Sequence, residues 1–395
     1  EIINKSSGER KGSLIDVIDT TITSSGGRLL KQRLISPSCE IAEIERRLCL
    51  ADFFANKKLD FLILKSYLND VSDVERALTR ITINKSNYAD LLSIGKFLVI
   101  SRKIIKEISE KKSKNKSVLK LLQNTKFDEN LGCKIKKAIK DNPYGKKDAE
   151  SFINEGYDHV LDQLKMIKSE ASQNILFLQE KYSKAASINS LKIKYNRVLG
   201  YHLEIRSIHA EKMHFMDQFI HRQTTAQACR YTTNELLELE KEILESELKV
   251  SEKEREIYEK LKKKILNKRT MIMHLSEIIS ELDIAIMTAD QKISKNYIRP
   301  KVFNNKHFII EDGRHPVIES SDDFAFNDFV PNSCNLCKNN IWLITGPNMA
   351  GKSTFLRQNA LIVILAQSGF YVPAKKVEFG VIDKIFSRVG ASDDI

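Results

Sequence analysis

Ile341-Trp342-Leu343-Ile344-Thr345 runs without interruption into Gly346-Pro347-Asn348-Met349-Ala350-Gly351-Lys352-Ser353-Thr354. The first five residues have the length and apolar content of a short buried strand. The next eight match Gly-x-x-x-x-Gly-Lys-Ser at every fixed position. Glycine at 346 and 351 allows backbone angles that a Cβ would forbid. Successive N–H groups of such a loop turn inward to cradle phosphate oxygens, and a following helix aims its positive end at the same anion. The expected ligands are the phosphates of ATP, held by Gly346, Pro347, Asn348, Met349, Ala350, Gly351, Lys352, Ser353 and Thr354. Lys352 is expected to reach the β- and γ-phosphates, and the Ser353 hydroxyl to ligate Mg²⁺.

Downstream, Phe355 to Ala366 has helical length and is apolar on nearly every side, which predicts a buried helix. Short apolar runs at Phe308 to Ile310, Val377 to Phe379 and Ile385 to Val389 read as further strands. Strand, glycine loop, buried helix and strand open an α/β nucleotide-binding domain. Hydrolysis needs, in addition, an acidic strand for magnesium and a group that orients water. Glu378 and Asp383 do not follow a four-residue apolar run, and Asp393 and Asp394 fall at the last positions. No catalytic residue is therefore assigned, and the chain, which starts at Glu1, is expected to be a piece of a longer protein.

Upstream of residue 297 the texture is helical. Arg28 to Leu34, Ile44 to Ala55, Asp70 to Leu78 and Tyr88 to Ile108 are amphipathic, with Ser36-Pro37-Ser38 as a breaker. Two segments carry sustained heptads. From Ala149 to Ala185 the repeat is Tyr157, Leu164, Ala171, Leu178 and Ala185, with Ile153, Val160 and Ile167 alongside. From Thr233 to Lys268 it is Leu236, Ile243, Val250 and Ile257, with Leu237, Leu244, Tyr258 and Ile265 as a second row. Between them, Leu191, Ile193 and Tyr195 alternate, as do Tyr201, Leu203 and Ile205, which predicts a hairpin closed by Gly200. Arg222, Gln223, Thr224 and Arg230 follow, side chains suited to phosphate oxygens.

The 395 residues carry a formal net charge of +12 and 42% hydrophobic residues, which fits both folded domains and a polyanionic partner. Six scattered cysteines do not form a disulfide framework. Cys334 and Cys337 lack the second ligand pair of a structural zinc site, so free thiols in a reducing cytoplasm are expected. No apolar run reaches the ~20 residues that cross a membrane.

Thr345 through Gln358 resembles the corresponding stretch of the MutS family of DNA mismatch-repair proteins. The resemblance extends through Tyr371-Val372-Pro373-Ala374 and Phe386 to Asp394. It also takes in Gly313-Arg314-His315-Pro316-Val317, Phe329-Val330-Pro331-Asn332, Ser24 to Leu30 and Tyr195 to Tyr201. Ala350 departs from it, standing where the family usually has glycine. The resemblance implies a multidomain, mainly α fold: a helical core and first lever helix over 1–187 and an α+β clamp over 188–232. A returning lever helix would cover 233–296, and the front of an ABC-type P-loop ATPase domain 297–395. It implies Phe329 stacking on adenine with Asn332 beside it, His315 as a turn residue, double-stranded DNA as partner and a homodimer in the intact protein. The family's mismatch-reading domain has no counterpart here. Two other readings stay open: a nucleotide-responsive DNA-binding module without enzymatic activity, and another ABC-type coiled-coil repair ATPase.

Overall fold

The computed structural model describes residues 2–3, 10–55, 58–110, 116–123, 125–141, 151–214, 216–320, 329–337, 341–347 and 350–387. Helices along the chain are α1 (Leu14–Ile18), α2 (Ser24–Ile35), α3 (Ile41–Ala55), α4 (Lys58–Asn69), α5 (Val74–Thr82), α6 (Tyr88–Glu110), α7 (Lys116–Leu122) and α8 (Glu129–Ala138). They continue as α9 (His159–Ala186), α10 (Ala210–His214), α11 (Asn234–Asn267), α12 (Arg269–Ser294), α13 (Pro316–Glu319) and α14 (Lys352–Gln367). Strands β1 (Lys192–Asn196), β2 (Gly200–Arg206), β3 (Ile220–Thr224) and β4 (Ala228–Thr232) form one sheet in the order β1-β2-β4-β3. Strands β5 (Lys301–Phe303), β6 (Phe308–Gly313), β7 (Asn332–Asn335) and β8 (Lys376–Gly380) form the other, in the order β5-β8-β6-β7. The chain divides into two compact units, Lys134–Ile265 and the combination of Glu1–Cys133 with Leu266–Ile395.

In the larger unit α12 packs against α2 and α3. Two polar devices fix that packing. Thr23 caps α2, and the buried Asp283 of α12 accepts from the N–H groups of Ile22 (3.0 Å) and Thr23 (2.7 Å) and from the Thr23 hydroxyl (2.7 Å). A carboxylate at a helix N-terminus answers both the orphan donors and the macrodipole. Glu281 of α12 pairs with Arg33 and with Arg46 (3.1 Å). Arg46 and Arg47 also grip Glu43 at 2.7 and 2.8 Å and hold its carboxyl down at about 2. Around these, Leu30, Leu34, Ile44, Leu48, Ile284 and Met287 form one apolar core with Ile362, Ala366, Phe370 and Phe379. The expected boundary between 296 and 297 lies inside this core.

Two expectations are corrected. Ile341 to Thr345 is neither paired nor buried: Ile341 is 85% and Leu343 90% exposed. A strand exists only through a ladder with a neighbour, and no strand among the described residues flanks it. Residues 385–387 are likewise not a strand, and 388–389 lie outside the described residues. The long helix expected over Thr233 to Lys268 is present as α11. α11 ends at Asn267, and Lys268 (φ −109°, ψ 14°) leaves helical geometry before α12 starts.

In the smaller unit α9 and α11 run antiparallel, as contacts of Lys181 with Glu235 (2.8 Å) and Lys168 with Glu247 (3.3 Å) require. The first of the two expected lever helices starts at His159, capped by Asp158, rather than at Ala149. Its buried seam is Leu161, Ala171, Ile175, Leu178, Tyr182 and Ala186, while Val160 and Ile167 are exposed. On α11 the row Leu236, Ile243, Val250 and Ile257 is buried as expected. Its companion is Leu239, Ser246 and Leu261, because seam positions alternate by three and four residues. Of the expected second row, Ile265 is fully buried, whereas Leu244 is 44% exposed.

Candidate nucleotide loop and exposed polar sheet

The loop begins at Gly346 (φ 155°) and ends at Gly351 (φ 84°). A Cβ on Gly351 would meet nothing within 4 Å, so glycine is required there by the left-handed backbone and not by space. Gly351 is the N-cap of α14, and no side chain caps the helix. Its first-turn amides are thus open to an anion, and Ser353 stands exposed in that turn. The Lys352 ammonium folds back into the loop, donating to the carbonyls of Gly346 and Pro347, the latter at 3.1 Å. Asn348 and Met349 lie outside the described residues. Trp342 stacks on Phe355 with ring centroids 6.2 Å apart and planes 4° from parallel. That contact joins the entry of the loop to the helix.

Asn332 opens β7 opposite Gly313 of β6, and its side-chain amide donates to the carbonyl of Val330 at 2.9 Å. The buried Gln358 of α14 donates its Nε2 to the carbonyl of Asn332 at 3.3 Å. The segment bearing Phe329, itself half-buried, is therefore tied to the same helix that carries Lys352. Gln358 is the residue that the reading of the sequence left without a role. The signal was present only in part, since Gln358 sits between Arg357 and Asn359 ahead of the apolar run Leu361 to Ala366.

His315 is a structural cap. Its Nδ1 accepts from the N–H of Ile318 at 3.3 Å at the start of α13. Burial, with the charge of Arg357, pushes its pKa down to about 4, which keeps the ring neutral and Nδ1 able to accept. Glu378 lies on β8 between Lys301 (2.9 Å) and Lys376 (3.2 Å), and both hold its carboxyl below the usual range. It is occupied as an ion-pair partner. Asp393 and Asp394 lie outside the described residues. Cys334 is buried and Cys337 exposed, both free, and no group of metal-ligating side chains occurs among the described residues.

In the smaller unit the hairpin of β1 and β2 pairs Asn196 with Gly200. Asn196 Oδ1 closes the turn by accepting from the N–H groups of Val198 (3.0 Å) and Leu199 (2.7 Å). Gly200 has φ 68°, and a Cβ there would strike Glu240 Oε1 at 2.0 Å; the same oxygen accepts from the N–H of Tyr201 at 3.1 Å. One face of the sheet, with Leu203, Ile205, Cys229 and Tyr231, is buried against Leu178, Tyr182, Leu236 and Ile243. Across the other face, register aligns Lys192, Glu204, Arg230 and Gln223 in one row.

Of the four expected donors, Arg230 and Gln223 are brought together. Arg230 donates to Gln223 Oε1 at 2.7 Å and to Glu204 at 3.1 Å, while Lys194 holds the other Glu204 oxygen at 2.6 Å. Thr224 meets His221 Nε2 at 2.7 Å. Arg222 sits apart, exposed at the irregularity where the β3–β4 register shifts. Lys192, Lys194 and Glu204 were missed, although the polar positions alternating with Ile193, Leu203 and Ile205 marked them.

Comparison with known proteins gives a consistent picture. The profile describing MutS domain III matches residues 1–289, and that describing MutS domain V matches residues 342–395. A DNA mismatch repair protein MutS of Ruegeria sp. (strain TM1040) is 39% identical over 407 residues, covering 100% of this chain and 46% of the relative. The protein of the same name from Rickettsia canadensis (strain McKiel) is 39% identical, with 100% and 45% covered. That from Wolbachia pipientis wMel is 37% identical, with 100% and 49% covered. The chain spans about half the length of the curated relatives it matches.

Proposed function

Since the chain belongs to the MutS family, we propose that it is the nucleotide-binding and DNA-gripping part of a DNA mismatch-repair protein, with ATP and Mg²⁺ at Gly346 to Thr354. The observation that carries this reading is the left-handed Gly351 starting an uncapped helix with Lys352 turned into the loop. First-turn amides and a mobile ammonium are the donors that a triphosphate needs. On binding, Lys352 exchanges the carbonyls of Gly346 and Pro347 for phosphate oxygens, and Ser353 offers its hydroxyl to the metal ion. The bound ion supplies charge neutralisation across the phosphates. Phe329 and Asn332 receive the base, steadied by Gln358.

In the same reading the sheet over 188–232 grips duplex DNA as a clamp, between lever helices and a helical core, and the P-loop domain opens at 297. Arg222 is the leading phosphate contact. Arg230, Gln223 and Thr224 contribute once their present partners exchange. The intact protein hydrolyses ATP as a homodimer in the cytoplasm, and nucleotide state sets the hold on mismatched duplex. A nucleotide-responsive module without turnover is the second reading for this chain, favoured by Glu378 being held by two lysines.

Titration of the chain with a fluorescent ATP analogue and Mg²⁺, beside Lys352→Ala, tests the central claim. The variant is expected to bind about 10- to 100-fold more weakly, the size of one charge-assisted contact, while its affinity for duplex DNA at low salt is unchanged. Equal nucleotide binding by the two proteins would remove the assignment.

A further inference from the structure

The far end of α14 is bonded as closely as its loop end is open. Gln367, 3% exposed, uses its whole amide. Nε2 donates to the carbonyls of Ser38 (3.1 Å) and Ile382 (2.9 Å), and Oε1 accepts from the N–H of Ile382 (3.0 Å). Its own carbonyl accepts from the N–H of Ser38 at 3.1 Å. At the next residue, the Ser368 hydroxyl donates to the carbonyl of Arg33 at 2.9 Å, and the Ser368 carbonyl accepts from Arg47 at 3.1 Å. The last turn of a helix leaves carbonyls without partners. Here two of them are taken by Ser38 in the α2–α3 connection and by the α3 cation Arg47, which also suits the negative end of the helix dipole.

These contacts and the phosphate loop share one helix. α14 has 16 residues, hence a length of about 24 Å, and Lys352 stands at its other end. We propose that Gln367, with Ser368 and Arg47, latches the phosphate-facing helix to the joint between α2 and α3, making Gln367 a positioning residue for the nucleotide. The latch fixes where the first-turn amides and Lys352 stand, so loosening it lowers nucleotide affinity without touching a ligand-contacting group. Linkage requires the converse, that nucleotide tightens the latch by the same factor. The inference rests on the Lys352-dependent nucleotide binding proposed above.

Two measurements test it. Amide hydrogen exchange of the unaltered chain, with and without ATP and Mg²⁺, should show slower exchange at Ser38 and Ile382 when nucleotide is bound. Gln367→Met keeps the side-chain length and removes its hydrogen bonds. It should bind nucleotide roughly fivefold more weakly, within the usual range of coupling between sites, and lose the response at Ile382, whose N–H donates to the Gln367 side chain. If Lys352-dependent binding is intact but Ser38 and Ile382 do not respond, or Gln367→Met binds as the unaltered chain does, the latch is overturned and the nucleotide reading stands. If the unaltered chain binds no nucleotide, both fall. Should the variant fail to fold, the exchange experiment alone decides, with unchanged rates counting against the latch.

Discussion

Ile341, Trp342 and Leu343 lie on one side of the phosphate loop, and Leu361, Ile362, Val363 and Leu365 on the other. Both sets are apolar enough to be read as buried. Only the second is: Ile362 is fully buried, whereas Leu343 is 90% exposed. A helix satisfies its own backbone and needs only a surface to cover its side chains. For α14 that surface is supplied by Leu34, Phe370 and Phe379 in the common core. A strand needs a ladder as well as a cover, and among the described residues the segment before the loop pairs with no strand and meets α14 through the Trp342–Phe355 stack. Apolarity states that a segment is to be buried. What it is buried against comes from elsewhere in the fold.

The largest expected effect breaks this comparison on its buried side. Ile362→Ala should cost about 2 to 5 kcal/mol, the range for deleting a core aliphatic side chain, read as a lower urea midpoint by Trp342 fluorescence. An effect below about 1 kcal/mol would mean that the core of the larger unit is loosely packed around α14. The next effect concerns the cap beside it. Unfolded His315 takes up a proton from about pH 6.5 downward, whereas the folded ring does so only at about 4. Its contribution is therefore complete above pH 6.5 and is lost as pH falls toward 4, reaching about 2 kcal/mol at pH 5. His315→Asn keeps a capping side chain without that titration. The difference in urea stability between pH 7 and pH 5 should shrink by about this amount, and an unchanged difference would assign the pH dependence to other groups.

How much could be read beforehand follows the same division. The helices, the β1–β2 hairpin and the glycine loop announce themselves through spacing, caps and left-handed positions, which are local. The seam of α9 was misread by a residue or so because a strict count of seven hides the three-four alternation that puts Leu161 and Ile175 inward and Val160 outward. The end of α11 was legible, because the heptads stop at Lys268. At the candidate site, Lys352 and Ser353 were legible from one short motif. Gln358 and Glu204 stood at marked polar positions, but their partners, Asn332 and Arg230, lie 26 residues away and came only with the fold. His315 could be placed on a turn, but its cap on Ile318 and its lowered pKa came only with burial.

The smallest effect sharpens the comparison on its exposed side. Leu343→Ser removes an apolar side chain that is 90% exposed, so stability should change by no more than about 0.5 kcal/mol, as for other surface positions. What should change is association. A largely exposed run of Ile, Trp, Leu and Ile that joins no strand among the described residues is a template for strand addition by another chain. The unaltered protein is therefore expected to sediment as larger species with rising concentration, and Leu343→Ser to do so less. A loss of stability comparable to that of Ile362→Ala would instead mean that the segment is buried in solution, by self-association or by rearrangement within the chain. The two outcomes separate cleanly, since burial through self-association makes the urea midpoint depend on protein concentration and burial within one chain does not.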